Sequence, residues 1–412
     1  MFNLFKNKKS REKSFGIHNR IYFDSASALP VSDIAKKSFL DAIEKTFANS
    51  SSIHTEGEIA KEILFEARKK VGKFVKAKSS EIYFCASTTE ANNIFIKGLL
   101  LNNQNPHVIY TKSDHSAIVN VVKDYCTDFK ITNSSIIPNK IGLLNIENIL
   151  QEIRENTRLI CFSYVNSETG TIQDVRKIVL AVREFCKNKN WPRENWPKIF
   201  VDATQAVLYE NLDVSTLLVD GMSFGGGKIG SVPGAAVLYI RNGVKIKPLI
   251  SGGGQEEDVR SGTENLPAIV AFTETLENIK LIQKKEYVYS LRNYAIEKLK
   301  ENFSEKELEI FGDTKFKYNK FFEHAAPHIL LISLVDMLGE ETLLRLDAKG
   351  ISVSTASACS LLENSGSSFL RTIGEPVKSK ETIRLSFSEN NTKDEIDYFV
   401  KVLREIKDKF IK

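Results

Sequence analysis

Strand patterns and helix patterns alternate along most of this chain, and this alternation constrains the fold more than any other feature of the sequence. Short runs rich in β-branched and aromatic residues recur between residues 81 and 224, with amphipathic helix patterns between most of them. The predicted strands are Glu81–Cys85, His107–Tyr110, Leu159–Val165, Lys198–Val201 and Met222–Phe224. Such alternation predicts an α/β fold in which a mainly parallel central sheet is covered by helices.

The pattern changes after residue 265, which indicates a second and smaller α+β domain. A long charged helix is predicted from Leu266 to about Lys300. The later predicted strands are Ile329–Leu334, Ile351–Ser354 and Thr382–Phe387. A terminal helix follows and begins with a capping box formed by Thr392 and Glu395.

We therefore expect three parts in the chain. Residues 1–20 are polar and basic and form an extension. The large domain covers 31–265. The small domain combines 21–30 with 266–412, begins its second part with the long connecting helix, and carries the loop that contains Cys359.

Composition and cysteine spacing exclude several classes of protein. The 412 residues include 57 Lys and Arg against 52 Asp and Glu, a balance that does not favour direct binding of nucleic acid. No apolar run approaches the about 18 residues of a membrane span. The five cysteines, at positions 85, 126, 161, 186 and 359, include no C-x-x-C pair. This spacing is typical of reduced thiols in a cytoplasmic protein and predicts neither disulfides nor a metal site.

A glycine-rich segment follows the strand pattern at 222–224. Gly225, Gly227 and Gly230 satisfy G-x-G-x-x-G, but another strand pattern, Ala235–Ile240, follows where a dinucleotide-binding motif requires a helix. A nucleotide site is therefore not favoured. Lys228 lies just past a buried type of strand, where an amine can form a Schiff base in a walled pocket. The alternative is a surface lysine on a glycine turn.

Asp202 shifts the balance between these two interpretations of Lys228. It ends the preceding strand pattern, and ligands of open α/β sheets bind at the carboxyl ends of strands. A carboxylate at one strand end and a lysine past a neighbouring strand suit pyridoxal phosphate. The lysine holds the aldehyde, and the carboxylate keeps the pyridine nitrogen protonated. The alternative role for Asp202 is a helix or turn cap.

Four other segments contain candidate site residues. Residues 87–90 begin a helix after a strand, which favours phosphate binding or is simply a capped helix. His115 follows another strand and suits ring stacking and proton transfer, or a structural role. Cys359 lies among small hydroxylated residues that suggest a mobile loop, where a thiol is reactive. Arg384 alternates with apolar residues of a strand and suits a substrate carboxylate, or faces solvent.

Taken in order, these motifs resemble those of cysteine desulfurases of the NifS/IscS type, in the class V aminotransferase group. The matching segments are Ile53-His54 with Gly57, Thr89-Glu90-Ala91-Asn92-Asn93, Val201-Asp202-Ala203-Thr204-Gln205-Ala206, Arg260-Ser261-Gly262-Thr263-Glu264-Asn265 and Ser357-Ala358-Cys359-Ser360. The resemblance runs from about Ile21 to Phe399. It implies a fold-type-I pyridoxal phosphate enzyme that converts L-cysteine to L-alanine and forms a persulfide on Cys359.

The resemblance also implies roles for individual residues and for partners. The implied catalytic residues are Lys228, Cys359 and His115, the cofactor-binding residues are Lys228, Asp202, Gln205, Thr88, Thr89, Asn166, Ser167 and Thr263, and the substrate-binding residues are Arg384 and Ser25. Gln205 would contact the ring hydroxyl, and Thr263 would reach the phosphate bound by the partner subunit of a homodimer. The persulfide would pass to an iron–sulfur scaffold or to a tRNA thiolation enzyme.

Four segments depart from the family pattern, one of them Ser87-Thr88-Thr89, where the family has a glycine before Ala-Thr-Glu. Gly225-Gly226-Gly227 stands where the family usually has Ser-Gly-His, so a phosphate-binding hydroxyl and an imidazole are missing, and we expect weaker cofactor binding. Ser167 and Ser25 replace asparagines. Two alternative functions remain open: another class V aminotransferase or selenocysteine lyase, and a degenerate family member that acts as a binding or scaffold protein.

Overall fold

The computed structural model describes residues 20–279, 281–314, 324–355 and 366–410. Its strands are β1 (Ile21–Tyr22), β2 (Ile82–Cys85), β3 (His107–Thr111), β4 (Thr132–Ile136), β5 (Thr157–Ser163), β6 (Lys198–Asp202), β7 (Gly221–Gly225), β8 (Ala236–Ile240), β9 (Leu308–Phe311), β10 (Ile329–Leu334), β11 (Ile351–Ser352) and β12 (Thr382–Ser386). Its α-helices are α1 (Asp33–Lys45), α2 (Thr55–Val75), α3 (Thr88–Leu101), α4 (Ser116–Asp128), α5 (Ile146–Glu152), α6 (Val175–Asn188), α7 (Val214–Leu217), α8 (Leu266–Glu277), α9 (Leu281–Asn302), α10 (Gly339–Asp347), α11 (Ser368–Thr372), α12 (Pro376–Lys380) and α13 (Lys393–Phe410).

The large sheet has seven strands in the order β2-β8-β7-β6-β5-β3-β4. The pairs from β7 through β6, β5 and β3 to β4 are parallel, whereas β8 runs antiparallel to both of its neighbours. The prediction of an α/β fold with a mainly parallel sheet is therefore confirmed. The carboxyl ends of β3, β5, β6 and β7 consequently lie along one edge of the sheet, where ligands bind in such folds.

Apolar side chains cover both faces of this sheet. One face packs against α2, α6 and α8, with Val71, Val179 and Phe272 among the buried residues. The other face packs against α3 and α4, where Phe95 stacks on Phe200 with ring centres 4.6 Å apart. Burial on both faces explains why the central strands read as continuous apolar runs.

Strand β4 was not predicted from the sequence. Its residues, Thr-Asn-Ser-Ser-Ile, pair only with β3 at the edge of the sheet, and just Ser134 and Ile136 are buried. A polar edge strand lacks the apolar pattern on which strand prediction depends.

A second, smaller sheet has the antiparallel order β12-β10-β9, beside a parallel pair of β1 and β11. The predicted strands at 329–334 and 382–387 are found here, the latter ending one residue early. Residues 21–24 also pair on this side, through β1 and a bridge from Asp24 to Ser386. The domain limits drawn from the sequence stay a prediction.

The single long helix predicted from Leu266 to about Lys300 is wrong. Helix α8 ends at Glu277, and the N–H of Asn278 closes the last turn on the carbonyls of Thr275 and Leu276. Helix α9 begins again at Leu281. The two halves separate because α8 buries its apolar face in the large core, whereas α9 packs with α13 in the small one.

The terminal helix α13 forms as predicted. Thr392 accepts a hydrogen bond from the N–H of Glu395, whose carboxylate accepts from the N–H of Thr392. Its apolar stripe, including Phe399 and Leu403, is buried in the small core. Within the described residues, no helix is both long enough and apolar enough to cross a membrane.

Candidate active site

Lys228 and Asp202 come together at the carboxyl edge of the large sheet. Asp202 is the last residue of β6 and pairs with Ser223 of β7. Immediately after β7, one 3-10 turn over Gly226–Lys228 carries the lysine past the strand end. The Lys228 ammonium donates to the carbonyl oxygen of Ser27. A small cavity beside the lysine is also lined by Ser25, Thr204, Gln205 and His328.

The Asp202 carboxylate is buried and held by neutral donors. Its Oδ2 accepts from Asn92 Nδ2 at 2.8 Å, and its Oδ1 accepts from the N–H of Thr204 at 2.9 Å. Asn92 is itself fixed, because its Oδ1 accepts from the Ser223 hydroxyl at 2.5 Å. The turn-cap role that the sequence left open for Asp202 is thus filled by the contact with Thr204, and the contact with Asn92 is additional. Within the described ranges this carboxylate has no Lys, Arg or His at ion-pair distance, which suits it to a protonated ring nitrogen.

A second carboxyl group, Asp114, lies next to this one and was not identified from the sequence. It is buried and accepts from the N–H of Ser163 at 2.8 Å. Desolvation raises the pKa of Asp114 to about 7, and the charge of Asp202 adds to the effect. At neutral pH the Asp114 carboxyl is therefore partly protonated and adds only part of a negative charge at the end of β6.

His115 begins α4 at the same edge. Its Nδ1 accepts from the N–H of Ala117 at 3.1 Å, so a neutral ring carries its proton on Nε2. One side of the ring is open to solvent, yet desolvation by the walls of the site lowers the pKa of His115. Lys228 and Arg384 lower it further, against the opposite effect of Asp202. The ring is consequently a neutral Nε2–H donor close to the lysine and the carboxylate.

Arg384 is buried at 5% exposure, so a solvent-facing arginine is excluded. Its Nη2 donates to Asp24 Oδ1 at 3.0 Å and to the Ser27 hydroxyl at 2.8 Å, and its Nη1 donates to the carbonyl of Ser167 at 2.9 Å. Ser27 therefore contacts both Arg384 and Lys228. A ligand carboxylate at Arg384 must share the guanidinium with Asp24.

The start of α3 abuts the end of β7. Ser87 caps the helix by accepting from the N–H of Glu90 at 3.1 Å, but the Glu90 carboxylate accepts from the N–H of Ala86, one residue before the cap, so only half of the capping box expected for Ser87 and Glu90 forms. Thr88 begins the helix, and its Cγ2 lies 3.2 Å from the position that a Cβ on Gly225 would take. Thr89 is exposed and lines a groove toward α4 with Ser116 and Asn120. Thr88 is thus the threonine beside the strand that leads to Lys228.

The side-chain amide of Asn166 forms its hydrogen bonds with protein groups, mostly within the turn that contains it. Its Oδ1 accepts from the N–H groups of Glu168 and Thr169, each at 3.0 Å, and its Nδ2 donates to the Ser113 carbonyl at 3.1 Å. Ser167 contributes its carbonyl to Arg384. The structure therefore places both residues beside the site as supports for its shape.

Thr263 does not lie in the cavity of Lys228. It is exposed and lines a separate hollow with Phe47, Ser50 and Leu266. Among the described residues Thr263 makes no contact with Lys228 or Asp202, and its role at a partner's phosphate, which the resemblance implied, stays a prediction.

Cys359 lies outside the described residues, within 356–365, but both flanks of that segment are anchored at the site. On one side, Ser354 and Arg384 exchange backbone hydrogen bonds at 2.7 and 3.1 Å. On the other side, the buried Glu168 carboxylate accepts from Ser367 Oγ at 2.5 Å and Ser368 Oγ at 2.7 Å. Arg384 and Glu168 thus tie the ends of the Cys359 segment to the region of Lys228.

Several buried polar atoms at the site have no hydrogen-bond partner within the described part of the chain. They are Ser25 Oγ, Thr204 Oγ1, His328 Nδ1 and Arg384 Nε. Buried polar groups are normally paired, so a cluster of unpaired ones indicates a site shaped for a ligand. A lysine, a buried carboxylate without a cation, and a helix start beside them fit pyridoxal phosphate in its amine, ring and phosphate parts.

Comparisons with known proteins agree with this geometry. Residues 21–399 match the family described as Aminotransferase class-V. A "Cysteine desulfurase IscS" from Clostridium botulinum is 30% identical over 396 residues, which cover 95% of each chain. A solved "NIFS-LIKE PROTEIN" superposes with a TM-score of 0.83 at 27% identity and covers 94% of this chain and 99% of that one. The structure "SspA in complex with cysteine" superposes with a TM-score of 0.74 at 25% identity, covering 90% of this chain and all of its own, 100%.

Proposed function

Because this chain belongs to the class-V aminotransferase family and is a pyridoxal phosphate-dependent cysteine desulfurase, we propose that it converts L-cysteine to L-alanine and keeps the sulfur as a persulfide on Cys359. The observation that carries the proposal is the meeting of Lys228, Asp202 and the buried Arg384 at one sheet edge, where Asp202 has no cation at ion-pair distance among the described residues. These three groups suit the aldehyde, the ring nitrogen and the substrate carboxylate.

The cofactor has a residue for each of its parts. Lys228 would hold it covalently, Asp202 would pair with the ring nitrogen, and Gln205 would donate to the ring oxygen. Thr88 and Thr89, at the start of α3, would bind the phosphate together with the helix N–H groups. When bound, the cofactor withdraws electrons from the α-carbon of the substrate.

Substrate binding would use Arg384 and Ser25. The Arg384 guanidinium has a buried Nε that is unpaired among the described residues, and a substrate carboxylate would share the guanidinium with Asp24. The unpaired hydroxyl of Ser25 lies in the same cavity as Lys228 and can donate to the substrate. His115, with its proton on Nε2, can deliver that proton to the product.

Cys359 would take the sulfur. Its thiolate attacks the substrate sulfur, the new S–S bond forms as the C–S bond breaks, and the bonding electron pair remains with the carbon, which is protonated to give alanine. The four cysteines within the described residues are buried, and burial raises the pKa of each thiol. They are therefore poor nucleophiles, which leaves this role to Cys359.

A homodimer would complete the phosphate site through Thr263. Phe47, which lines the same hollow as Thr263, is 79% exposed, so an apolar side chain beside Thr263 is available to a second subunit. From such a dimer in the cytoplasm, the persulfide would pass to an iron–sulfur scaffold or a tRNA thiolation enzyme.

Alanine formation from L-cysteine, measured with and without added pyridoxal phosphate, tests the function. Cys359→Ser should keep the cofactor absorbance and lose sulfide release, whereas the matched control Cys126→Ala should keep both. An amino-group transfer product would instead identify another class V aminotransferase, and activity confined to selenocysteine would identify a lyase. A purified protein without cofactor absorbance, even after addition of the cofactor, would identify a binding or scaffold protein.

A further inference from the structure

His328 is a buried histidine that the sequence patterns did not single out. It lies directly before β10 in the small sheet, and its side chain lines the cavity beside Lys228. The imidazole stacks on Tyr209, with ring centres 4.7 Å apart. Its Nε2 lies 3.1 Å from Oε1 of Gln205, which follows β6 of the large sheet. The hydrogen bond between His328 and Gln205 therefore connects the start of the small sheet to the large-domain side of the cavity beside Lys228.

The contacts of Gln205 determine the proton positions in this pair. The amide Nε2 of Gln205 donates to the carbonyl of Ala26 at 2.9 Å, and a carbonyl can only accept. The other end of the amide, facing His328, is therefore the oxygen. It follows that His328 donates from a protonated Nε2 and carries its lone pair on Nδ1, the atom without a partner.

His328 remains a neutral donor across the working pH range. Burial lowers the pKa of His328 to about 3, and the positive charges of Arg384, Arg292, Lys228 and Lys285 contribute to this effect. A second imidazole proton, which would place a charge beside Lys228, is thus excluded near neutral pH. The tautomer that donates from Nε2 to Gln205 is accordingly not changed by protonation near neutral pH.

We propose that His328 is a positioning residue: it holds the oxygen of the Gln205 amide, so that the remaining N–H of Gln205 is presented as a donor to the ring oxygen of the cofactor. The inference rests on the proposed function, because it takes Gln205 as the residue that meets this oxygen. The carbonyl of Ala26 requires a donor and so fixes the amide nitrogen of Gln205 on its side, and the bond from His328 restricts rotation of the amide. Without His328, the amide has one anchor in place of two.

The pH dependence of the bound cofactor's absorbance reports directly on this donor. A hydrogen bond to the ring oxygen stabilises the more negative, deprotonated form of the bound cofactor and lowers the pKa of the absorbance change. We expect His328→Phe, which keeps the ring on Tyr209, to raise that pKa by about one unit. His328→Gln places an amide N–H where Nε2 lies and should return the pKa toward the wild-type value. Gln205→Ala should raise the pKa by itself, and the double variant with His328→Phe should raise it no further.

His107→Phe is the matched control. His107 is also buried and is hydrogen-bonded to Thr157 and Ser134, but it lies at the start of β3, away from the carboxyl ends of the strands where the site lies. Its replacement should leave the titration unchanged. An unshifted pKa in His328→Phe, or shifts from His328→Phe and Gln205→Ala that simply add, would overturn the positioning role while alanine formation by the wild type upholds the function. A wild type that binds no cofactor would overturn both.

Discussion

Replacing Gly225 by serine, the residue usual in the family, is expected to destabilise this protein unless Thr88 is shortened at the same time. A Cβ at position 225 would lie 3.2 Å from Thr88 Cγ2 and 3.3 Å from the Cβ of Ala236. Ala236 is the direct partner of Gly225 in the β7–β8 ladder and cannot move alone. The new side chain would therefore be compressed from two sides.

The size of the effect follows from overpacking. Extra atoms forced into a packed site typically cost about 1–3 kcal/mol. Thr88→Ser removes the crowding methyl and keeps the hydroxyl at the start of α3, so it should recover most of that loss in the double variant. Gly227→Ser is the matched control, because no heavy atom lies within 4 Å of a Cβ at that position.

Urea unfolding and titration with pyridoxal phosphate measure the two consequences. Gly225→Ser should lower the free energy of unfolding and weaken cofactor binding, the double variant with Thr88→Ser should restore both, and Gly227→Ser should change the stability little. If Gly225→Ser is as stable as the wild type, or if Thr88→Ser brings no recovery, then the crowding argument is wrong. The structure thus revises the view of Gly225 as a simple loss, because the Thr88 methyl lies beside the space that a side chain at position 225 would need.

Three further outcomes are expected. Lys228→Ala should abolish the borohydride-reducible cofactor adduct found by mass spectrometry, and an adduct at another lysine would contradict the assignment. Asn92→Leu should cost roughly 1–3 kcal/mol per buried group left unpaired, on Asp202 and Ser223, and should weaken cofactor binding; unchanged urea unfolding would contradict this. Burial lowers the pKa of His107 from 6.5 to about 4, so the unfolded chain binds the proton first. The contribution of His107 to stability should be complete above pH 6.5 and fall by up to about 3 kcal/mol as the pH decreases to about 4, a slope that His107→Asn should remove from unfolding curves.

Local patterns were sufficient for the elements whose burial is uniform. The strands β6, β7 and β10 are almost entirely buried, and each contains apolar residues that can be recognised as a strand pattern in the sequence. Lys228 and Asp202 were found for the same reason, since a polar residue directly after a buried strand indicates the ligand-binding edge of a sheet. The Ser87 cap of α3 and the capping box of α13 are likewise contained within four residues each.

Contacts between distant segments were not accessible in this way. The break between α8 and α9 arises because the two helices bury their apolar faces in different cores. Asn92 meets Asp202 across 110 residues, Gln205 meets His328 across 123, and Asp24 meets Arg384 across 360. The steric contact between Thr88 and a side chain at position 225 likewise joins segments that are far apart in the sequence. Local periodicity determined which strands carry the chemistry, whereas chain packing alone decided which side chains hold those groups in place, because such pairings depend on the path of the whole chain.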